Sequence, residues 1–323
     1  MEKIKQLQQD FAEFMAKCDF GGQPTELYTP ISYTLLQSGK RLRPMLCLLA
    51  NDMFDGEEQE ALWPALALET FHNFTLIHDD IMDQAPLRRG KETVYQKWNA
   101  NIAILSGDAM LAMAFRYALK TKKGDEIAKQ LGKVAIEICE GQQMDLNFET
   151  QKDVSIMDYL EMIRLKTAVL LATALQMGAT VAGAKETDIQ HLYDFGIAMG
   201  MSFQLQDDIL DLYSDVQTFG KKHGGDSAEN KKTYLDLKAW ELASEQDRKR
   251  LAYLFTLRLD HDEEEKIAEV KAIYDQLNVK EAVESVIADY DRKAIEALAA
   301  IELPEMKKTH LKIYAESLTG RKK

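Results

Sequence analysis

FTLIHDDIMD (residues 74–83) and MSFQLQDDILDL (residues 201–212) set the same acidic signature into an apolar pattern at two distant points of the chain. Around both, Phe, Leu, Ile and Met recur three and four residues apart, which is the period of one helix face. Side chains four apart on a helix stack at about 5 to 6 Å, so the spacing predicts Asp79 beside Asp83 and Asp207 beside Asp211. Like charges placed this way repel, and next to apolar neighbours the repulsion is costly unless a cation offsets it. Mg²⁺ meets that requirement, because it takes hard oxygen ligands from one or two carboxylates and fills its shell with water and phosphate oxygens. A single DDxxD in an acidic chain reads as an exposed helix face. Two copies in apolar settings point to metal.

The same period runs outward from both motifs. Helical stretches are expected near 2–17, 27–54, 59–84, 101–121, 125–147, 155–183, 187–215, 228–243, 245–258, 262–277 and 279–300, so the fold reads as all-α. Ser155 precedes IMDYLEMI with Asp158 three residues on, a capping box with Asp in place of the usual Glu or Gln. No segment is rich enough in Pro, Ser or Gly to act as a linker, which favours one helical domain over residues 1–323.

Composition narrows the function. The 323 residues are 46% apolar, enough for a sizeable core, and the formal net charge of −13 leaves no general cationic field for nucleic acid or an anionic membrane. Any anionic ligand must therefore be held locally. Cys18, Cys47 and Cys139 are odd in number and widely spaced, against a disulfide framework or zinc site and in favour of a reducing cytoplasm. The amino-terminal MEKIKQLQQDF lacks the apolar core of an export signal. TAVLLATALQMGATVAGA (167–184) is long enough to span a membrane, but its Gln, threonines, glycines and small alanines read as a helix buried among helices.

Basic residues accompany the acidic pairs. After DDIMD the chain continues QAPLRRG; if Pro86 ends the helix, Arg88 and Arg89 lie at its rim, where planar guanidinium forks match phosphate oxygens. Further clusters stand at SGKRLRP (38–44) and FGKKHGGDSAENKKTY (219–234), neither of which is a Walker loop. Each alone reads as a solvated turn. In company with the acidic pairs they fit a polyanion carrying metal, which requires both signs in one cleft.

GKRLRP (39–44), DDIMD followed by RRG, EGQQMD (140–145), RLKTA (164–168), FQLQDDILD (203–211) and GKKHGGDSAENKKT (220–233) together resemble the trans-isoprenyl diphosphate synthases of the polyprenyl synthetase family. The resemblance spans most of the chain. It implies an all-α bundle around a deep central cavity, a homodimer, and substrates that are isopentenyl diphosphate and an allylic diphosphate. Asp79, Asp83 and Asp207 are implied as Mg²⁺ ligands, with Asp211 in support at longer range. Arg88, Lys166, Thr167, Gln204, Lys221 and Lys231 are implied as contacts to the allylic substrate, and Lys40, Arg43, His72 and Arg89 as the isopentenyl diphosphate pocket. Ser38 stands where the family often has a second glycine before the lysine.

The family's reaction needs no protein nucleophile, and the chain carries no GxSxG or HExxH. The resemblance implies that the Lys166 carbonyl and the side chains of Thr167 and Gln204 ease the positive charge of an allylic cation. Phe74 and Thr75, one turn before Asp79, are the implied chain-length residues; an aromatic followed by a small residue leans toward geranylgeranyl rather than farnesyl diphosphate. A terpene cyclase or head-to-head condensing enzyme on a similar bundle, or a silent partner subunit, remains an alternative. The second DDxxD, GKRLRP and the paired arginines favour elongation over cyclisation, and intact aspartates in both motifs speak against silence.

Overall fold

In the computed structural model, which describes residues 1–214, 224–257 and 263–319, DDIMD lies at the end of α4 (Glu58–Met82) and DDILD near the end of α10 (Glu186–Tyr213). Before α4 come α1 (Glu2–Lys17), α2 (Thr25–Leu35) and α3 (Leu42–Met53). Between the motifs lie α5 (Val94–Lys97), α6 (Ala100–Ala118), α7 (Gly124–Thr150), α8 (Ile156–Ile163), a π turn (Arg164–Ala168) and α9 (Val169–Ala182). Helices Tyr234–Leu242, Glu245–Leu254, Glu263–Gln276, Val279–Ala300 and Glu305–Thr319 follow, after a single turn at Gly225–Ala228. Among the described residues the only strands are β1 (Leu87–Arg88) and β2 (Lys91–Glu92), a two-rung antiparallel hairpin pairing Leu87 with Glu92 and Arg88 with Lys91.

The chain divides into two compact units. One comprises Met1–Lys133, Thr173–Leu192 and Glu302–Tyr314; the other comprises Val134–Ala172, Tyr193–Ile301 and the residues from 315 on. In the first unit Leu46, Leu48, Leu49, Leu66 and Leu68 are buried to 1% exposure or less, each contributing roughly 2 kcal/mol of apolar burial. Small residues let the helices meet there: a Cβ at Gly178 of α9 would lie 2.0 Å from the Cys47 carbonyl oxygen of α3. The second unit is built on Phe148, Tyr159, Leu205, Val270, Tyr274, Val279 and Val283.

The helical stretch expected over 27–54 is two helices, because residues 36–41 leave the helix and Arg41 sits at φ 47°, ψ 41°, in the left-handed region. The stretch expected over 155–183 is helical throughout but carries the π turn. Ser155 forms the expected capping box: its hydroxyl accepts from the Asp158 N–H at 3.1 Å, and Asp158 Oδ2 accepts from the Ser155 N–H at 3.0 Å. Ile156–Ala182 is, among the described residues, the one helix long and apolar enough to cross a membrane by length and composition. Of its most apolar window, 72% is buried against protein, as in a core helix.

Candidate active site

In the first unit α4 stops at Met82, four residues before Pro86. The Asp83 N–H still donates to the Asp79 carbonyl at 2.8 Å, so the turn that stacks Asp83 on Asp79 is complete. Asp79 is half-buried and Asp83 exposed, whereas Asp80 between them is buried at 3%. Asp80 accepts from Arg88 Nε at 2.7 Å. Burial holds the Asp80 carboxyl above its usual range, and the Arg88 charge pulls it back. Arg88 thus neutralises an aspartate of the motif. Arg89, at φ 53°, makes the hairpin turn with Gly90 at φ 74°. A Cβ at Gly39 would stand 3.1 Å from Arg89 Nη1, so glycine there leaves room for the guanidinium.

The loop carrying Lys40 is anchored by Arg41, a residue not singled out from sequence. Its guanidinium donates to the carbonyls of Leu35 (2.7 Å) and Gln37 (2.5 Å), and pairs with Glu69, which is 2% exposed. Asn73 Nδ2 donates to the Glu69 carboxylate at 2.8 Å and fixes it further. Beside this network Arg43 Nη1 lies 3.0 Å from His72 Nε2. Burial, then Arg43, Arg89, Arg88 and Arg41, hold the imidazole well below its ordinary range, so His72 is neutral. Burial also lowers Arg43, to about 10, which leaves it charged at neutral pH. With the Arg43 N–H facing Nε2, that nitrogen accepts and the hydrogen of the neutral ring is on Nδ1. His72 Nδ1 and Arg43 Nε are buried and have no hydrogen-bond partner, so two N–H donors here lack an acceptor.

A cavity of about 20 Å³, room for one water, is lined by Asn73, Asp80, Arg88, Arg89 and Thr93; Asn73 Oδ1 and Thr93 Oγ1 are buried and unpartnered. Phe74 is half-buried, its ring 5.5 Å from Phe71 and 4.9 Å from His78. The Thr75 hydroxyl donates to the His72 carbonyl at 2.8 Å.

In the second unit α7 approaches the π turn closely: a Cβ at Gly141 would lie 2.5 Å from the Lys166 backbone nitrogen. Lys166 Nζ donates to Asp145 at 2.5 Å, which gives EGQQMD a physical role, a close approach followed by a countercharge. The Thr167 hydroxyl donates to Gln204 Oε1 at 3.2 Å, and Gln204 Nε2 donates to Asp208 at 3.2 Å. Asp208 also accepts from the Tyr159 hydroxyl at 2.6 Å. Burial pushes Asp208 up to about 7, against the pull of its hydrogen bonds. Asp207 is half-buried. Asp211 accepts the Asp226 N–H at 3.1 Å, while its carbonyl accepts from Gly224 at 2.8 Å. Lys231 pairs with Glu229 at 3.0 Å, and Lys221 lies outside the described residues.

Among the described residues no group of three or more His, Cys, Asp or Glu side chains forms a ready ligand set. What the motifs offer is pairs of hard carboxylate oxygens one helical turn apart, with Asp79, Asp83 and Asp207 open in part to solvent. That chemistry suits Mg²⁺ sharing its shell with phosphate and water.

The family model for polyprenyl synthetase matches residues 24–277. A short chain isoprenyl diphosphate synthase of Methanothermobacter thermautotrophicus is 37% identical over 282 residues, 86% of each chain. A geranylgeranyl diphosphate synthase of Sulfolobus acidocaldarius is 38% identical over 239 residues, 72% of each. The crystal structure of a geranylgeranyl pyrophosphate synthase superposes with a TM-score of 0.94 at 43% identity, covering 99% of both chains. The chain belongs to the polyprenyl synthetase family.

Proposed function

We propose that the chain is a head-to-tail trans-prenyltransferase that joins isopentenyl diphosphate to an allylic diphosphate and releases a short-chain prenyl diphosphate. The observation that carries this reading is the unpartnered donor pair Arg43 Nε and His72 Nδ1, whose surroundings include the charges of Arg41, Arg88 and Arg89. A chain of net charge −13 gathers cations at one place, next in sequence to an acidic pair, where a diphosphate and its metal are to be held together. In this reading Lys40, Arg43, His72 and Arg89 bind isopentenyl diphosphate, and His72, being neutral, contributes an N–H without adding charge. Arg88, Lys166, Lys221 and Lys231 grip the allylic diphosphate.

Asp79, Asp83 and Asp207, with Asp211 behind them, would hold Mg²⁺. Bound there, the metal supplies electrostatic stabilisation of the departing diphosphate. The allylic C–O bond breaks and its electron pair leaves with the diphosphate. The double bond of isopentenyl diphosphate then attacks the allylic carbon, and a proton is lost to the released diphosphate. Thr167, Gln204 and the Lys166 carbonyl face the cation with oxygen lone pairs, and the arginines and lysines stabilise charge where it develops.

Phe74 is assigned as the floor that stops growth at twenty carbons. Its contacts with Phe71 and His78 support a rigid ring at that level. The working unit is read as a homodimer of a single domain in the cytoplasm. The family match across residues 24–277, the exposed apolar Ile104 and Leu105 on α6, and three free cysteines support those parts of the reading.

The test is to incubate the purified chain with labelled isopentenyl diphosphate, allylic starters and Mg²⁺. Longer linear diphosphates, abolished by a chelator, are expected. A hydrocarbon product would instead indicate a cyclase or head-to-head enzyme, and absence of turnover a silent subunit; either overturns the reading.

A further inference from the structure

We propose that Asp208, the second aspartate of DDILD, is a positioning residue that makes the Thr167 hydroxyl an acceptor-only oxygen toward the substrate. The inference rests on the reading above that Thr167 and Gln204 face the allylic cation. Asp208 itself is 4% exposed and accepts from the Tyr159 hydroxyl at 2.6 Å, from Gln204 Nε2 at 3.2 Å and from the Tyr234 backbone N–H.

The direction of the hydrogen bonds carries the argument. Asp208 Oδ1 accepts from Gln204 Nε2, so the nitrogen end of the Gln204 amide faces Asp208 and the oxygen end points away. That oxygen receives the Thr167 hydroxyl at 3.2 Å. A hydroxyl has one hydrogen; with it committed to Gln204, only lone pairs remain for any other approaching group. Lone pairs attract a carbocation, and an O–H hydrogen repels it. A chain of hydrogen bonds starting at a carboxylate also polarises each member in the same sense, which adds electron density at its far end.

Without Asp208 the amide of Gln204 is free to turn over, and Thr167 is free to rotate its hydrogen into the site. Tyr159 is placed to prevent motion of Asp208. It is 3% exposed on α8, one turn after the Ser155 cap, and its ring packs 6.4 Å from that of Tyr234. Four residues from three segments thus specify the orientation of one oxygen.

The experiment measures steady-state kinetics of the full chain carrying Tyr159→Phe, Gln204→Met, both together, and Asp208→Asn. Tyr159→Phe should lower kcat about 10-fold, the scale of one oriented hydrogen bond, and leave KM for isopentenyl diphosphate unchanged. Gln204→Met should lower kcat at least as much, and the double variant should be no slower than Gln204→Met alone. Asp208→Asn should exceed Tyr159→Phe; if it fails to fold, the Tyr159 cycle decides. Wild-type kcat in Tyr159→Phe, or effects that multiply in the double variant, overturns the positioning role. Wild-type kcat in Gln204→Met overturns it together with the assignment of Gln204, while continued elongation by that variant keeps the condensation reading.

Discussion

Arg88 donates from Nε to the buried Asp80 at 2.7 Å, so one edge of the guanidinium is tethered to the motif whose other aspartates are the candidate metal ligands. Lysine cannot reproduce that fork. Arg88→Lys should raise KM for the allylic diphosphate about 10-fold and cost about 1–2 kcal/mol in urea unfolding, since Asp80 loses its partner. Unchanged KM in a destabilised variant would make the pair purely structural.

Gly141→Ala puts a Cβ 2.5 Å from the Lys166 backbone nitrogen and 2.8 Å from the Leu165 carbonyl carbon. Backbone atoms cannot rotate aside, so α7 must move away from the π turn, at a cost of about 1–3 kcal/mol. Because Asp145 rides on α7, its 2.5 Å contact with Lys166 is stretched as well. The expected result is a lowered Tm together with a kcat reduced more than 10-fold, whereas Gly132→Ala, where the nearest atoms are 3.9 Å away, should be neutral in both.

Phe74→Ala removes the ring held between Phe71 and His78. Chromatography of the products should show chains longer than those of the parent enzyme. An unchanged product length would remove Phe74 from the floor.

Asp236 is 4% exposed, and burial pushes its carboxyl up to about 7, against the opposing pull of Trp240, Lys232 and Tyr274. An unfolded aspartate titrates near 3.9. Between about pH 4 and 7 the folded chain therefore holds a proton that the unfolded chain has lost, and stability falls as pH rises through that window. Asp236→Asn should remove this part of the slope, up to about 1.4 kcal/mol per pH unit. Denaturant unfolding at a series of pH values measures it; equal slopes in both proteins would place the ionisation elsewhere. Asp208 contributes a slope of the same sign and is unchanged in the comparison.

What sequence reasoning could reach was what local spacing encodes. The capping box at Ser155 and the helical setting of both aspartate motifs depend on residues three and four apart, and both are present. The break at 36–41 was not legible, because the apolar rhythm passes through it. Its left-handed Arg41 is anchored by Glu69, 28 positions away. EGQQMD was recognisable as a string, but the use of its Asp145 is a contact across 21 residues. Asp80 and Asp208 look like members of acidic pairs when read along the chain. One position of helical rotation, roughly 100°, turns each away from its neighbour and into protein, toward Arg88 in one unit and toward Tyr159 in the other.

The π turn at Arg164–Ala168, closed by the Val169 N–H on the Arg164 carbonyl, amounts to one residue too many in an otherwise α-helical rod from 156 to 182. The wider turn takes up the rotation of the surplus residue, and Tyr159 and Met162 before it are buried, as are Leu171 and Leu175 after it. Excising a single residue there would close the ladder into plain α-helix and leave α9 near its present phase, so what the extra position adds is local: the place of Lys166 and Thr167.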